Sequence, residues 1–139
     1  MPTKPRFVIF AHNATYDKLH QTATLGLTAA AMGKDVIVVL LFWTLKKLAD
    51  GRLNELDFPP EYAIQAPEVA RLLKERHVPL ITEMFEEAKK VGQFKLIACS
   101  AGLEYMNVDA QAVAGGVDDV MGLPAILAAC AGAETTLFI

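Results

Sequence analysis

Cys99 and Cys130 are the only thiols in the 139-residue chain, and they occupy contrasting settings. Cys99 closes the run Lys95-Leu96-Ile97-Ala98-Cys99 and is followed by the small residues Ser100, Ala101 and Gly102. That pattern puts a cysteine where a strand gives way to a helix. If Ser100 to Leu103 opens the helix, its free N–H groups and positive end favour a thiolate, the nucleophile of persulfide and disulfide exchange. The plainer reading is a small hydrophobe ending a core strand. Cys130, within Ala128-Ala129-Cys130-Ala131, reads as packing on an apolar helix. The chain has no Cys-x-x-Cys pair, and sequence separation says nothing about the Cys99 to Cys130 distance.

Fewer signals attach to the other polar candidates. His12 follows the first apolar run and, with Asn13, Thr15 and Tyr16, has the polarity to line the same crevice as Cys99, although small polar residues here also suit a turn. Glu104 falls one turn into the helix after Cys99, where a carboxylate can carry a proton but opposes thiolate formation. His20 and His77 read as structural or solvated, and three scattered histidines do not make a metal site. Gly102 and Gly115-Gly116 match neither the dinucleotide fingerprint nor the P-loop, and the glycine pair reads as a turn. No metal and no organic cofactor is expected.

The elements that would position these residues alternate along the chain. A strand at Phe7 to Ala11 precedes a helix over Lys18 to Met32, with Asp17 as a candidate cap and Gly33 as its exit. Val36 to Phe42 is a continuous apolar run rich in β-branched residues, the mark of a parallel strand covered on both faces. Trp43 to Asp50 reads as a short helix ended by Gly51, and residues 51–67, with Pro59, Pro60 and Pro67, read as a surface loop or insertion. Helical stripes return over Glu68 to Arg76 and from Ile81 to Gly92. After the strand Lys95 to Cys99 come a brief strand near Gly115 to Val117, a helix over Met121 to Ala131 and a strand at Thr135 to Ile139. The natural assembly is a three-layer α/β sandwich with a mostly parallel, five-stranded sheet.

Length fits one domain, residues 1–139. A net charge of −3 removes the basic surface on which phosphate-backbone binding depends, so nucleic acid is not an expected partner. The uncharged stretches Gln21 to Gly33 and Val120 to Ala133 fall short of the roughly 20 apolar residues of a spanning helix. Met1-Pro2-Thr3-Lys4-Pro5-Arg6 lacks the pattern of a secretory signal, so a cytoplasmic location is expected.

Several stretches, in order, resemble the DsrE/DsrF-like family of small sulfur-relay proteins, and in particular its DsrE2-like branch. They are Ala29-Ala30-Ala31-Met32-Gly33-Lys34-Asp35-Val36, Leu41-Phe42-Trp43, Val78-Pro79, Glu87-Ala88-Lys89-Lys90-Val91-Gly92, Lys95-Leu96-Ile97-Ala98-Cys99 and Thr136-Leu137-Phe138-Ile139. After the cysteine, Met106 matches the family while Ala101, Leu103 and Asn107 depart from it, and residues 51–67 are shorter than the insertion in many DsrE2-like chains. The resemblance implies a flavodoxin-like or Rossmann-like sandwich, a homo-oligomer, and a cysteine matching Cys99 that carries sulfur as a transient persulfide. Sulfur donor and acceptor proteins with reactive cysteines would be its partners. His12, Asn13, Ser100, Gly102 and Glu104 are the candidate contacts. The leading alternative is a non-catalytic interaction or small-ligand-binding module, favoured if Cys99 is fully buried. A third, a peroxide-reducing thiol protein, would need a resolving thiol.

Overall fold

The computed structural model describes residues 4–139, so Met1 to Thr3 of the segment read as leaderless lie outside it. Five strands, β1 (Arg6–Ala11), β2 (Asp35–Leu40), β3 (Gln93–Cys99), β4 (Asp119–Met121) and β5 (Thr135–Phe138), form one sheet in the order β4-β3-β2-β1-β5. Every adjacent pair is parallel, with Ala11 opposite Leu40 and Leu40 opposite Ala98. The expected α/β sandwich is present, with an all-parallel rather than a mostly parallel sheet.

Strand β2 shows why. Val36, Val38 and Leu40 belong to one core cluster and Ile37 and Val39 to another, so its period-2 alternation feeds two cores. On the first face lie α1 (Tyr16–Ala31) and α4 (Ile81–Val91), joined by Leu45 of α2 (Trp43–Ala49), Leu103 of α5 (Ser100–Tyr105) and Val113 of α6 (Ala110–Val113). On the second face the fully buried Ile126 of α7 (Leu123–Ala129) packs with Val8, Ile37, Val39, Ile97 and Cys99. Helix α3 (Ala66–Glu75) buries none of its residues completely.

Two expectations need correction. The fourth strand is Asp119–Met121, and Gly115 to Val117 belongs to the turn and connection before it. Gly116 is required there by close approach, since a Cβ would lie 2.7 Å from Leu48 Cδ1. Asp17 does not cap α1: Thr15 holds the N-cap position without a side-chain bond, and Asp17 lies in the first turn.

Residues 51–67 contain one 3-10 turn, Pro60–Tyr62, and tie back to the body at both ends of their first half. Leu53 is buried in the first core, and Lys47, 5% exposed, donates to Asp57 Oδ1 at 2.5 Å and to the Ala14 carbonyl at 2.7 Å. The Tyr16 N–H in turn donates to Asp57. One ion pair thus fastens this segment and the β1–α1 turn to α2.

Beside this clamp, His20 packs its ring 5.6 Å from that of Tyr16 and buries Nε2 without a hydrogen-bond partner. Burial holds its pKa below the ordinary 6.5. The unfolded chain therefore binds the imidazole proton more readily, so the associated stability is complete above pH 6.5 and falls as pH drops through and below that value. Melting curves are expected to show a fall in midpoint from pH 7.5 toward pH 5 that His20→Gln makes shallower, and an unchanged slope in the variant would contradict this.

Candidate functional site at the carboxyl ends of the strands

Cys99 is the last residue of β3 and the N-cap of α5, with φ −75° and ψ 120°. Its backbone is thus still extended while Ser100 begins the helix. Small residues make this junction possible. A Cβ on Gly102 would lie 2.8 Å from Leu45 Cδ1 and 3.8 Å from Cys99 Cβ, so glycine lets α5 settle onto α2 beside the cysteine. Gly122, at the exit of β4, leaves its Cβ position 3.7 Å from Ser100 Oγ.

The thiol is closed in. Cys99 is 2% exposed, packed in the second core with Ile97 and Ile126 and flanked by the partly buried Ala101 and Met121. Met121 is its register partner on β4.

Of the residues expected around it, the structure brings Ser100 and Gly102 to Cys99, as its helix neighbours. Glu104 is exposed on α5. His12 and Asn13 are not brought to the thiol, because β2 lies between β1 and β3 and two strand spacings amount to about 10 Å. Their side chains face each other, with Asn13 Nδ2 3.4 Å from His12 Nε2. Their backbone N–H groups both donate to the Ile139 carbonyl. Thr15 and Tyr16 are absorbed by the start of α1.

The β2 exit holds what residue type alone did not reveal. Phe42 has φ 48° and ψ −111°, a conformation that bulky side chains rarely adopt and that costs about 1–3 kcal/mol. Buried Thr44 supports it: its hydroxyl lies 2.8 Å from the carbonyls of Ala11 and Leu41 and accepts the Leu41 N–H at 3.0 Å. The result leaves Phe42 47% and Trp43 60% exposed at the same end of the sheet as Cys99. An aromatic pair after an apolar strand was the available signal, although nothing in it announces a positive φ.

Cys130 ends α7 beside the amino end of β1, where Arg6 donates to the neighbouring Ala129 carbonyl at 2.6 Å. Burial raises its pKa, with Arg6 acting in the opposite direction. Cys99 is at the carboxyl end of the sheet, so most of a strand, roughly 15 Å or more, separates the thiols, against the ~7 Å limit between Cα atoms for a disulfide. Cys130 therefore does not resolve an intermediate on Cys99 within this arrangement. Among the described residues no three His, Cys, Asp or Glu side chains gather as a metal site, and no helix is long and apolar enough to cross a membrane.

No family model matches the chain, and no curated protein matches it significantly.

Proposed function

We propose that the chain is a sulfur carrier in sulfur relay or oxidation, in which Cys99 accepts sulfane sulfur and passes it on to a protein thiol. The observation that carries this reading is the place of the cysteine, at the carboxyl end of β3 and the N-cap of α5, the end of a parallel sheet at which ligands bind. The all-parallel sandwich and the ordered stretches from Ala29 to Ile139 support membership in the DsrE/DsrF-like family as part of the same proposal.

The chemistry balances without an outside oxidant. Cys99 thiolate attacks the outer sulfur of a donor persulfide R–S–SH, the new S–S bond forms as the donor's breaks, and the donor leaves as RS⁻. An acceptor thiolate then attacks the outer sulfur of the Cys99 persulfide and returns the Cys99 thiolate. No organic cofactor enters. Partners on this reading are donor and acceptor proteins with reactive cysteines, together with further copies of the chain, and the place of action is the cytoplasm.

Burial sets the condition. With Cys99 only 2% exposed, a donor sulfur reaches it after α5 or the Ile126 side of α7 gives way. That same burial favours a second reading, an interaction or small-ligand-binding module in which Cys99 only packs.

Transfer of labelled sulfur separates the two. After exposure to a persulfide carrying radioactive outer sulfur, the parent chain and Cys130→Ser are expected to retain label that an acceptor thiol removes, while Cys99→Ser retains none. Unchanged uptake by Cys99→Ser rejects the carrier, and no uptake by any of the three favours the packing role.

A further inference from the structure

We propose that α7 is the contact through which two copies of this chain pair, an inference that deepens the self-association in the reading above and is independent of Cys99 chemistry. From Val120 to Ala133 no Asp, Glu, Lys, Arg or His occurs. Helix α7 buries only Ile126, and Leu123, Pro124, Ala125, Leu127 and Ala128 all face water. A helix apolar on every side belongs inside a core, yet in one copy this helix has water over most of its circumference.

The sheet beneath it is closed over its central strands, where Val8, Ile37, Val39 and Ile97 are buried, and open at its β5 edge. At the β1–β5 corner Phe10 stacks on Phe138 at 5.1 Å, and Phe138 is still 74% exposed.

A second copy is the occupant that fits. The chain is net negative, and pairing along a stretch without ionic side chains lets two copies meet with no like charges opposed. That absence of cations also removes the attraction an anionic lipid surface would need. Around a two-fold axis, each α7 covers the exposed apolar side of the other, and Ala125 and Ala128 let the helices approach closely. Leu123, Leu127 and Phe138, exposed by 47, 62 and 74%, and their small neighbours offer on the order of 500 Å² per copy, close to the ~600 Å² at the lower end of stable interfaces.

Sedimentation at about 100 µM is expected to give twice the 15.1 kDa chain mass. Leu127→Asp would place two carboxylates across the axis and is expected to weaken pairing about a hundred-fold, leaving a folded monomer. Ile64→Asp, at a 92% exposed apolar residue elsewhere, is expected to leave the dimer intact. Hydrogen exchange on the unmodified chain reads the same contact without a substitution, with α7 amides slowed at high concentration and faster on dilution. A monomeric parent removes the self-association itself. A dimer that survives Leu127→Asp, or whose α7 exchange ignores dilution, removes α7 as its seat, and label transfer to Cys99, measured separately, distinguishes either result from a failure of the carrier reading.

Discussion

Replacing Asp57 by alanine is expected to lower the melting temperature by about 10 °C, corresponding to about 3 kcal/mol. Among the described residues the carboxylate is the only anionic partner of Lys47, whose side chain is 5% exposed. With Asp57 gone, the ammonium retains the Ala14 carbonyl at 2.7 Å and a long contact to the Glu55 carbonyl at 3.4 Å. A buried cation without its counter-ion costs more than the intact pair contributes, because desolvation persists while the attraction is lost. The opposite change, Lys47→Met, is expected to cost less: it leaves an Asp57 carboxylate that is 38% exposed and therefore hydrated, and replaces the buried ammonium with an apolar chain of similar length. Thermal melts of the two variants check the order. Equal losses would show that the pair acts through packing rather than charge. Loosening of the segment after α2, read by protease cleavage between residues 51 and 67, is expected to accompany the Asp57 variant.

Gly92→Ala is expected to be of similar size, about 3 kcal/mol or more, for a reason that owes nothing to charge. A Cβ there would fall 2.4 Å from the Ala30 carbonyl oxygen and 3.0 Å from its carbon. Both are backbone atoms, so relief requires moving the end of α1 away from the α4–β3 junction. Overpacking a side chain costs about 1–3 kcal/mol, and backbone against backbone lies at the top of that range or beyond it. Denaturant unfolding measures it, with Gly33→Ala for comparison. Gly33 has open space around its Cβ position but φ +84°, so alanine there meets only conformational strain, about 1 kcal/mol. A Gly92→Ala loss no greater than that of Gly33→Ala would show that α1 and α4 separate easily.

The same two glycines mark what residue type discloses. Both were legible as helix ends, and Gly33 ends α1 by the expected left-handed route. Gly92 ends α4 with φ −167°, an extended conformation open to any residue, and is glycine because α1 crowds it. Crowding between elements distant in sequence has no local signature. The buried strands were legible for the converse reason: Val36 to Leu40 and Leu96 to Cys99 carry apolar side chains to both cores, and that demand is written in consecutive residues. Edge strand β4 is short and begins with the exposed Asp119, so no periodicity marks it, and the apolar Val117 drew the expectation a few residues early. Helix α6 is four residues long, below any period, although Asp109 caps it by accepting the Gln111 N–H at 2.9 Å.

The candidate site divides along the same line. Cys99, Ser100 and Gly102 fall within four consecutive residues, and their junction was readable from the apolar run and the small residues after it. Grouping His12 and Asn13 with the thiol required the strand order, and β2 in the middle of β1 and β3 separates them. Met121, the partner of the cysteine on β4, and Leu41, which follows β2 and packs against the same core, are brought there by a strand order that no motif encodes. Burial of the thiol is likewise a property of assembly, produced when α7 sets Ile126 onto the second face.

Intact-protein mass measurement after exposure to a small-molecule persulfide tests the central claim most directly, because each added sulfur contributes about 32 Da and a thiol reductant removes it. The parent chain is expected to gain one reducible sulfur, Cys130→Ser to gain the same, and Cys99→Ser to gain none. A parent chain that gains no mass under conditions that load another carrier thiol, or a Cys99→Ser chain that gains as much as the parent, would contradict the assignment of Cys99 as the sulfur-bearing residue.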